Sequence, residues 1–455
     1  MHNEIPESQT EISGKNLPPR VSGLPVLGNA YDFLYRPIEF FLEAYHQYGP
    51  IFRIQALNQK FVVMGGLEAN RFLAKEGEEH FSSEPLFGEF GREMGAEYFL
   101  VSLDGESHRH MRKVMQRGYS KGGIAPHIGD FAALTYRRAE SWQIGEVLHV
   151  RDQMQRLVTQ QVGIALTNHA PDEYFEPLRK YFSTMLNVLV IKRWPRIMLY
   201  TPNYRKAKKE VMSLAKVVLD EHRNGEGEHE PDLINDLIAA EDWNGKPFKE
   251  NDLLAATLGP YFAGMDTVAS TLGFFLYALL KHPEVLDRIV AEVDEYFADG
   301  IPSWRELPKL QALYGATIET LRRYPATPFT PRGVVKPFTF QGCHVEAGQE
   351  IIIVNGLTHF LPEFFPEPFS FDIERYIPPR KEHKQGMGIF APYTLGPHTC
   401  LGAGAAEVML MVTMGALLRA VRLELEPKDY ELKIKLTPIP SPEKNFRVRV
   451  IEHRI

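Results

Sequence analysis

Apolar residues recur every three or four positions through most of the chain, which is the repeat of an α-helix with one buried face. Seven segments carry this pattern: 37–49, 107–119, 232–242, 251–283, 285–300, 310–325 and 401–421. The stretch from Leu253 to Leu280 is apolar on nearly every face, and so is the segment after Cys400. The pattern predicts a helix-rich chain with at least two fully buried helices.

Three shorter stretches carry β-rich runs of aromatic and β-branched residues instead. The first, "GPIFRIQALNQKFVVMGG", predicts a β-hairpin, and the others are 334–355 and 423–440. We therefore expect a mainly α fold with small β-sheets. Residues 1–20 form a polar N-terminal segment, and 21–455 form one domain with a β-rich N-terminal part and a helix-rich main part. The polar insertion 222–232 is interpreted as a loop between helices.

Composition narrows the possible functions. The net charge of -7 lacks the basic footprint of nucleic-acid binding. Two cysteines in 455 residues argue against a disulfide framework and fit a reducing compartment. The N-terminus has neither the basic and apolar regions of a signal peptide nor an anchor, so we expect a cytoplasmic protein without a membrane anchor.

One internal segment, from Leu253 to Leu280, is long enough to cross a bilayer. Asp266 stands at its middle, and Pro260 and Gly264 interrupt it. A charged residue is costly inside a membrane, so a buried core helix is favoured. Pro260 removes a helical hydrogen bond, which predicts a kinked or opened helix near this point.

The stretch "YTLGPHTCLGAG", from Tyr393 to Gly404, places Cys400 among glycines directly before a buried helix. A helix N-terminus offers unpaired N–H groups and a positive partial charge, and both favour a thiolate. Gly402 and Gly404 leave room for a flat group against the helix start. From these residues alone, Cys400 is an inert core thiol, a ligand or a nucleophile.

The spacing of Tyr393, Gly396, His398, Cys400 and Gly402 resembles the haem-binding loop of the cytochrome P450 superfamily. This chain has Tyr where the family usually has Phe, and His where it usually has Arg. The resemblance implies the cytochrome P450 fold of a soluble, bacterial-type member. It also implies heme b (iron protoporphyrin IX), held between the long central helix and the helix after Cys400, with the Cys400 thiolate as the iron ligand.

Further motifs precede the cysteine in the family's order. Glu319 and Arg322 are spaced to share a helix face, and Arg375 follows. In the resembling family, such a Glu and Arg lock with a later Arg to brace the haem loop. His108 and Arg112, one helical turn apart, match the residues that hold a haem propionate.

Arg332 and His398 match two more propionate-binding positions. The segment "AGMDT", from Ala263 to Thr267, resembles the family's oxygen-binding segment. There, Ala263 and Gly264 admit the ligand, while Asp266 and Thr267 form an acid-alcohol pair that delivers protons.

The resemblance implies a monooxygenase that takes O2 and inserts one oxygen atom into a substrate. It assigns Thr267 to hydrogen bonding at the oxygen site and Asp266 to relaying protons from water. Electrons would come from a ferredoxin or flavodoxin with its NAD(P)H-dependent reductase. Arg109, Lys113 and Arg117 form a basic patch that could face such an acidic partner.

An apolar small molecule is the expected substrate, such as a lipid, terpenoid or steroid, because the segments at pocket positions are rich in Phe, Leu and Pro. These are 84–100, Phe262 with Ala263, 326–330 and 437–440. Two alternatives stay open: a peroxide-driven peroxygenase or isomerase, and a non-catalytic haem sensor or carrier. The acid-alcohol pair speaks against the first, because such relatives generally lack it.

Overall fold

The computed structural model describes residues 11–12, 15–225 and 231–455 of the chain. Most of the predicted polar segment 1–20, namely 1–10 and 13–14, lies outside the described residues, as do residues 226–230 of the predicted loop. Over the described residues the chain divides into two compact units. Of these residues, unit 1 contains 11–12, 15–86, 327–370 and 382–399, and unit 2 contains 87–225, 231–326, 371–381 and 400–455. A single domain over 21–455 stays a prediction.

Helices make up most of the described chain, in agreement with the expected fold class. They are α1 (Ala30–Tyr35), α2 (Pro37–Tyr48), α3 (Leu67–His80), α4 (Glu84–Met94), α5 (Gly105–Met115), α6 (Lys121–Ile124), α7 (Ile128–Glu140), α8 (Val150–Thr167), α9 (Phe175–Met185), α10 (Pro202–Asn224), α11 (Leu233–Ala239), α12 (Glu250–Lys281), α13 (Pro283–Tyr296), α14 (Gln311–Arg323) and α15 (Ala403–Ala420). A π-helical turn, Leu186–Val190, continues α9.

Strands are short and few. They are β1 (Glu11–Ile12), β2 (Lys15–Asn16), β3 (Ile51–Ala56), β4 (Gln59–Gly65), β5 (Phe81–Ser82), β6 (Val147–His149), β7 (Thr330–Val334), β8 (Phe338–Phe340), β9 (Cys343–Val345), β10 (Glu350–Val354), β11 (Val421–Glu426), β12 (Ile434–Lys435), β13 (Ser441–Pro442) and β14 (Arg447–His453). The predicted hairpin is confirmed, because β3 and β4 pair antiparallel from Ile51 opposite Met64 to Ala56 opposite Gln59.

Unit 1 is built on a five-stranded sheet in the order β3-β4-β10-β7-β5. Strands β4 and β10 are parallel, and the other neighbours are antiparallel. Successive side chains of a strand point to opposite faces. On β10, Ile351 and Ile353 enter one apolar cluster, while Ile352 and Val354 enter another. The sheet is therefore covered on both faces, which explains the continuous apolar run in this strand.

Unit 2 holds most of the helices, the three-stranded sheet β11-β14-β6 and the short β12-β13 hairpin. Helix α12 is its central element and packs against α8, α10, α14 and α15. The helix continues without a break through Pro260, so it is not opened there, and the kink that we predicted as the other possibility stays a prediction. The apolar stretch that could have crossed a membrane is a core helix, as predicted.

Within the described part of the chain, two helices, Glu250–Lys281 and Ala403–Ala420, are long and apolar enough to cross a bilayer. The most apolar window of each is 83% and 72% buried inside the protein. Their hydrophobicity is thus used in the core of unit 2, where a helix that is apolar on all sides is expected.

Candidate functional site

Cys400 is a free thiol at the start of α15. Burial by surrounding protein atoms raises the pKa of the thiol, while the backbone N–H of Gly402 and the charge of Arg112 act to lower it. The cysteine is nevertheless exposed to solvent, and Leu401 to Gly404 beside it are partly exposed. Cys400 is therefore set deep among protein atoms but open on one side, as a metal ligand must be.

Helix α5 belongs to unit 2, as Cys400 does, and it carries the predicted propionate-binding residues His108 and Arg112. His108 is buried and Arg112, one turn later, is partly buried. Burial lowers the pKa of Arg112 and the nearby Cys400 raises it, so the guanidinium lies within electrostatic reach of the sulfur. The two residues share a helix face, as the sequence predicted.

The basic patch predicted on this helix is largely neutralised. Arg109 hydrogen-bonds Glu106, and Arg117 makes a bidentate contact with Asp236, with Nε and Nη2 at 2.9 and 2.8 Å from its carboxylate oxygens. Arg117 also donates to the carbonyl oxygen of Pro231. Two of the three basic residues therefore already have a carboxylate partner, which weakens the case for a broad positive surface here.

The middle of α12 exposes a single narrow stripe. Between Leu258 and Leu279, the accessible residues are Gly259, Phe262, Ala263 and Thr267, and the others are buried. Their spacing of three or four residues places them on one helix face. The hydroxyl of Thr267 donates to the carbonyl oxygen of Ala263 at 2.5 Å. An accessible hydroxyl thus stands beside an accessible alanine within an otherwise buried helix.

Asp266 points away from this stripe. It is 7% exposed, and its Oδ1 accepts from Gln155 Nε2 at 2.5 Å and lies 3.4 Å from a guanidinium nitrogen of Arg151. Both partners are on α8, and the sequence analysis did not identify them. Their spacing of four residues on a polar helix face was the only available signal. The buried carboxylate is paired, which reduces the cost of burying it.

Two of the glycines serve packing in a way that the sequence did not predict. A Cβ on Gly264 would lie 2.8 Å from Cγ1 of Val162, so this glycine allows α8 and α12 to approach closely. A Cβ on Gly404 would lie 3.0 Å from the side chain of Lys121. Gly264 is buried, and Ala263 is the exposed residue of the pair. A Cβ on Gly402 would meet Tyr119 only at an ordinary 3.4 Å.

Glu319, Arg322 and Arg375 come together as predicted. Arg322 donates Nε and Nη2 to the two carboxylate oxygens of Glu319, each at 2.8 Å, and Arg375 Nε lies 3.5 Å from Oε1. Side-chain exposure is 0% for Glu319 and Arg322 and 1% for Arg375. Tyr376 also hydrogen-bonds Glu319, which the sequence analysis missed. Burial acts to lower the pKa of Arg322, but the hydrogen bonds and charge of Glu319 outweigh burial, so this pKa is raised.

The remaining predicted residues lie in unit 1. Arg332 is on β7, 9% exposed, and donates to the carbonyl oxygen of Pro331 at 2.8 Å. Tyr393 and His398 are partly exposed in the loop that ends this unit. Gly396 has φ +76°, and a Cβ there would lie 2.9 Å from the carbonyl oxygen of Leu73. Gly396 is therefore required both by its backbone conformation and by the close approach of α3.

The residues of unit 2 fit the haem that the resemblance implies. An open thiol receives a backbone N–H, and a partly buried arginine lies near it. Helix α12 packs against the cysteine helix, and between Leu258 and Leu279 it exposes only small, aromatic and hydroxyl residues. Among the described residues, no group of three or more His, Cys, Asp or Glu side chains could hold a metal ion.

Comparison with known proteins agrees with this assignment. The family model "Cytochrome P450" matches residues 18–450. "Putative cytochrome P450 136" of Mycobacterium tuberculosis is 25% identical, over 94% of this chain and 88% of the relative. "Cyclooctat-9-en-7-ol 5-monooxygenase" of Streptomyces melanosporofaciens is 29% identical over 66% of each chain. The solved structure "Retinoic acid bound cyanobacterial CYP120A1" matches with TM-score 0.82 and 23% identity, over 97% of this chain and 100% of that one.

Proposed function

The chain belongs to the cytochrome P450 family and is a haem-dependent monooxygenase, and on this premise we propose how its residues carry out the reaction. The proposed activity is the insertion of one oxygen atom from O2 into an apolar small molecule, by hydroxylation or epoxidation. The observation that carries it is the open thiol of Cys400 in the same unit as the accessible Thr267. Cytochrome P450 monooxygenases take electrons from redox partners, and a ferredoxin or flavodoxin with its NAD(P)H-dependent reductase is the partner that we propose.

Heme b is the proposed cofactor. Cys400 would hold its iron through the thiolate, and the N–H of Gly402 would hydrogen-bond the thiolate sulfur and moderate its charge. His108 and Arg112 would bind a propionate by charge-assisted hydrogen bonds. The roles of Arg332, Tyr393, Gly396 and His398 stay predictions from the resemblance. When bound through a thiolate, the haem supplies O2 binding and the electron density that favours O–O cleavage.

Proton delivery is assigned to Asp266 and Thr267. The Oδ1 atom of Asp266 is occupied by Gln155 and Arg151, and no hydrogen bond involves Oδ2 among the described residues. We assign to Oδ2 the exchange of protons with water. The hydroxyl of Thr267 donates a hydrogen bond to the carbonyl oxygen of Ala263. Its oxygen can therefore accept a hydrogen bond from a water molecule and hold that water in place.

The apolar substrate wall is the second part of the proposal. Phe262 on the accessible stripe packs against Phe90, Phe99 and Phe182, with ring centroids 4.7, 6.0 and 5.4 Å away. All four rings belong to unit 2. Aromatic groups bury large apolar areas and exclude water, which favours a terpenoid or lipid substrate. One relative is named as acting on cyclooctat-9-en-7-ol. A cytoplasmic location stays a prediction.

The role of Thr267 is tested with the variant Thr267→Ala. We expect the purified protein to keep its haem and to divert reducing equivalents into hydrogen peroxide. Thr271→Ala is the matched control, because Thr271 makes the same type of bond one turn later, to the carbonyl oxygen of Thr267, but is buried. NAD(P)H use, product and peroxide are measured with redox partners and with peroxide alone. Equal coupling in both variants would remove the role of Thr267, and full turnover with peroxide alone would favour a peroxygenase.

A further inference from the structure

Four cationic side chains of unit 2 form a cluster beside Asp266. They are Arg151 on α8, Arg193 after the π-helical turn, Lys435 on β12 and Lys444 after β13. Lys435 is partly buried, and burial together with the charges of Arg151, Lys444 and Arg193 lowers its pKa. Asp266 acts on the pKa of Lys435 in the opposite direction. We call these four residues the cationic cluster.

The cationic cluster is poorly neutralised by the protein itself. Asp266 is already shared by Arg151 and Gln155. In the part of the chain that the structure describes, Arg193, Lys435 and Lys444 form no ion pair with a carboxylate. The guanidinium of Arg193 hydrogen-bonds the hydroxyl of Thr437, at 3.4 Å, and the buried Nε of Arg151 makes no hydrogen bond to a described residue.

Two partly buried lysines elsewhere in this unit do have carboxylate partners. Lys208 binds Glu93 at 2.8 Å, and Lys121 binds Glu407 at 2.8 Å. Arg151 and Lys435 are partly buried, whereas Arg193 and Lys444 are exposed. Like charges near partly desolvated positions disfavour one another. A cluster of this kind is therefore suited to a bound anion, which would neutralise it and occupy the unused guanidinium donors.

Its position connects the cluster to the substrate. Lys435 lies two residues before Thr437, whose hydroxyl contacts Arg193. Thr437 begins the segment 437–440, which is predicted to line the substrate pocket. Asp266, which contacts Arg151, directly precedes Thr267. The aromatic wall at Phe262 lies about one and a half helical turns before Thr267 on the same helix. Within unit 2, the cationic cluster would thus bind the anionic group of a ligand, and the aromatic wall would bind its apolar part.

We propose that the cationic cluster binds the carboxylate of an apolar acid, so that the substrate class is an amphipathic carboxylic acid and not a neutral hydrocarbon or alcohol. This inference rests on the proposed monooxygenase function. Arg193 and Lys435 supply the contacts to the carboxylate, Arg151 adds positive charge beside Asp266, and the apolar remainder of the molecule lies along the aromatic wall. The carboxylate orients the substrate, and a distant carbon faces Thr267.

The experiment compares acids with the matching alcohols by Soret spectral titration of the haem-loaded protein. The probes are retinoic acid with retinol, and palmitic acid with hexadecanol, each at low and at high salt. We expect at least one acid to bind about ten-fold or more tightly than its alcohol, with the preference reduced at high salt. Lys435→Gln and, separately, Arg193→Gln should lower the affinity for the acid about ten-fold and leave the alcohol unchanged.

Lys428→Gln is the charge-matched control, because Lys428 is on the surface with 85% of its side chain exposed; it should change neither affinity. Acids that bind no better than their alcohols, acids that produce no spectral shift, or cluster variants that weaken both ligands equally would overturn the inference. Each sample is first examined by its reduced carbon monoxide spectrum. A normal spectrum without acid preference refutes only the substrate class, whereas an abnormal wild-type spectrum refutes the proposed function itself.

Discussion

The buried network around Glu319 allows the most quantitative prediction. Its carboxylate accepts Nε and Nη2 of Arg322 at 2.8 Å and the backbone N–H of Asp372 at 3.0 Å, and it also binds Tyr376 and faces Arg375. Glu319→Gln keeps the volume but removes the negative charge. Two buried guanidinium groups then lose their counter-charge, and the new amide offers donors where acceptors are needed.

Removing one partner of a buried ion pair costs about 3–5 kcal/mol. The entropy of unfolding for 455 residues is about 1 kcal/mol/K if the whole chain unfolds together. The expected fall in the midpoint of thermal unfolding is therefore about 3–5 °C. The assay is far-UV circular dichroism during heating of the purified haem-loaded protein.

Glu374→Gln provides the control, because Glu374 lies next to Arg375 in the sequence and pairs with Arg288 at 2.7 Å, with 48% of its side chain exposed. An exposed pair contributes about 0–1 kcal/mol, so this variant should move the midpoint by about 1 °C or less. Adding Arg322→Met to Glu319→Gln should cost less than the two changes made separately, since the two side chains are in contact. Equal midpoints for Glu319→Gln and Glu374→Gln would refute the reasoning.

Two other changes test particular contacts. Gly396→Ala should destabilise the protein by about 1–2 kcal/mol or more, because φ is +76° and the new Cβ would approach the carbonyl oxygen of Leu73 to 2.9 Å; urea unfolding indistinguishable from wild type would contradict this. Burial acts to lower the pKa of His222, but the hydrogen bond and charge of Asp232 outweigh burial and raise this pKa above 6.5. The His222–Asp232 pair therefore stabilises the fold below pH 6.5, and its contribution is lost as the pH rises through the raised pKa. Between pH 6 and 8 the thermal midpoint of wild type should fall more than that of His222→Gln, and parallel pH profiles would show that the pair does not contribute.

Features carried by local patterns were predictable from the sequence. The β3-β4 hairpin follows from two apolar runs joined by a short turn, and the burial of α12 follows from its composition. Glu319, Arg322 and Arg375 could be paired because the family resemblance supplied the distant partner. Cys400 was singled out by the glycines and the buried helix around it.

Contacts between distant segments were not predictable. Gln155 binds Asp266 across 111 positions of the sequence, and nothing near either residue indicates the other. The family resemblance predicted that Gly264 makes room for a ligand. A Cβ at this position would instead point toward Val162, and that direction depends on how α8 and α12 pack. Arg117 was predicted to contribute to a basic patch, but in the folded protein it pairs with Asp236, which is distant in the sequence. In each case a second element decides the function of the residue.

The central claim is that Cys400 binds haem iron as a thiolate, and the carbon monoxide difference spectrum of the reduced protein tests it most directly. Wild type should show the strongly red-shifted Soret band of thiolate-ligated haem, and Cys400→Ala should lack that band. Cys343→Ala, which changes the only other cysteine, should retain it. A wild-type protein that binds haem with a Soret band typical of a neutral ligand, or that binds no haem, would contradict the account.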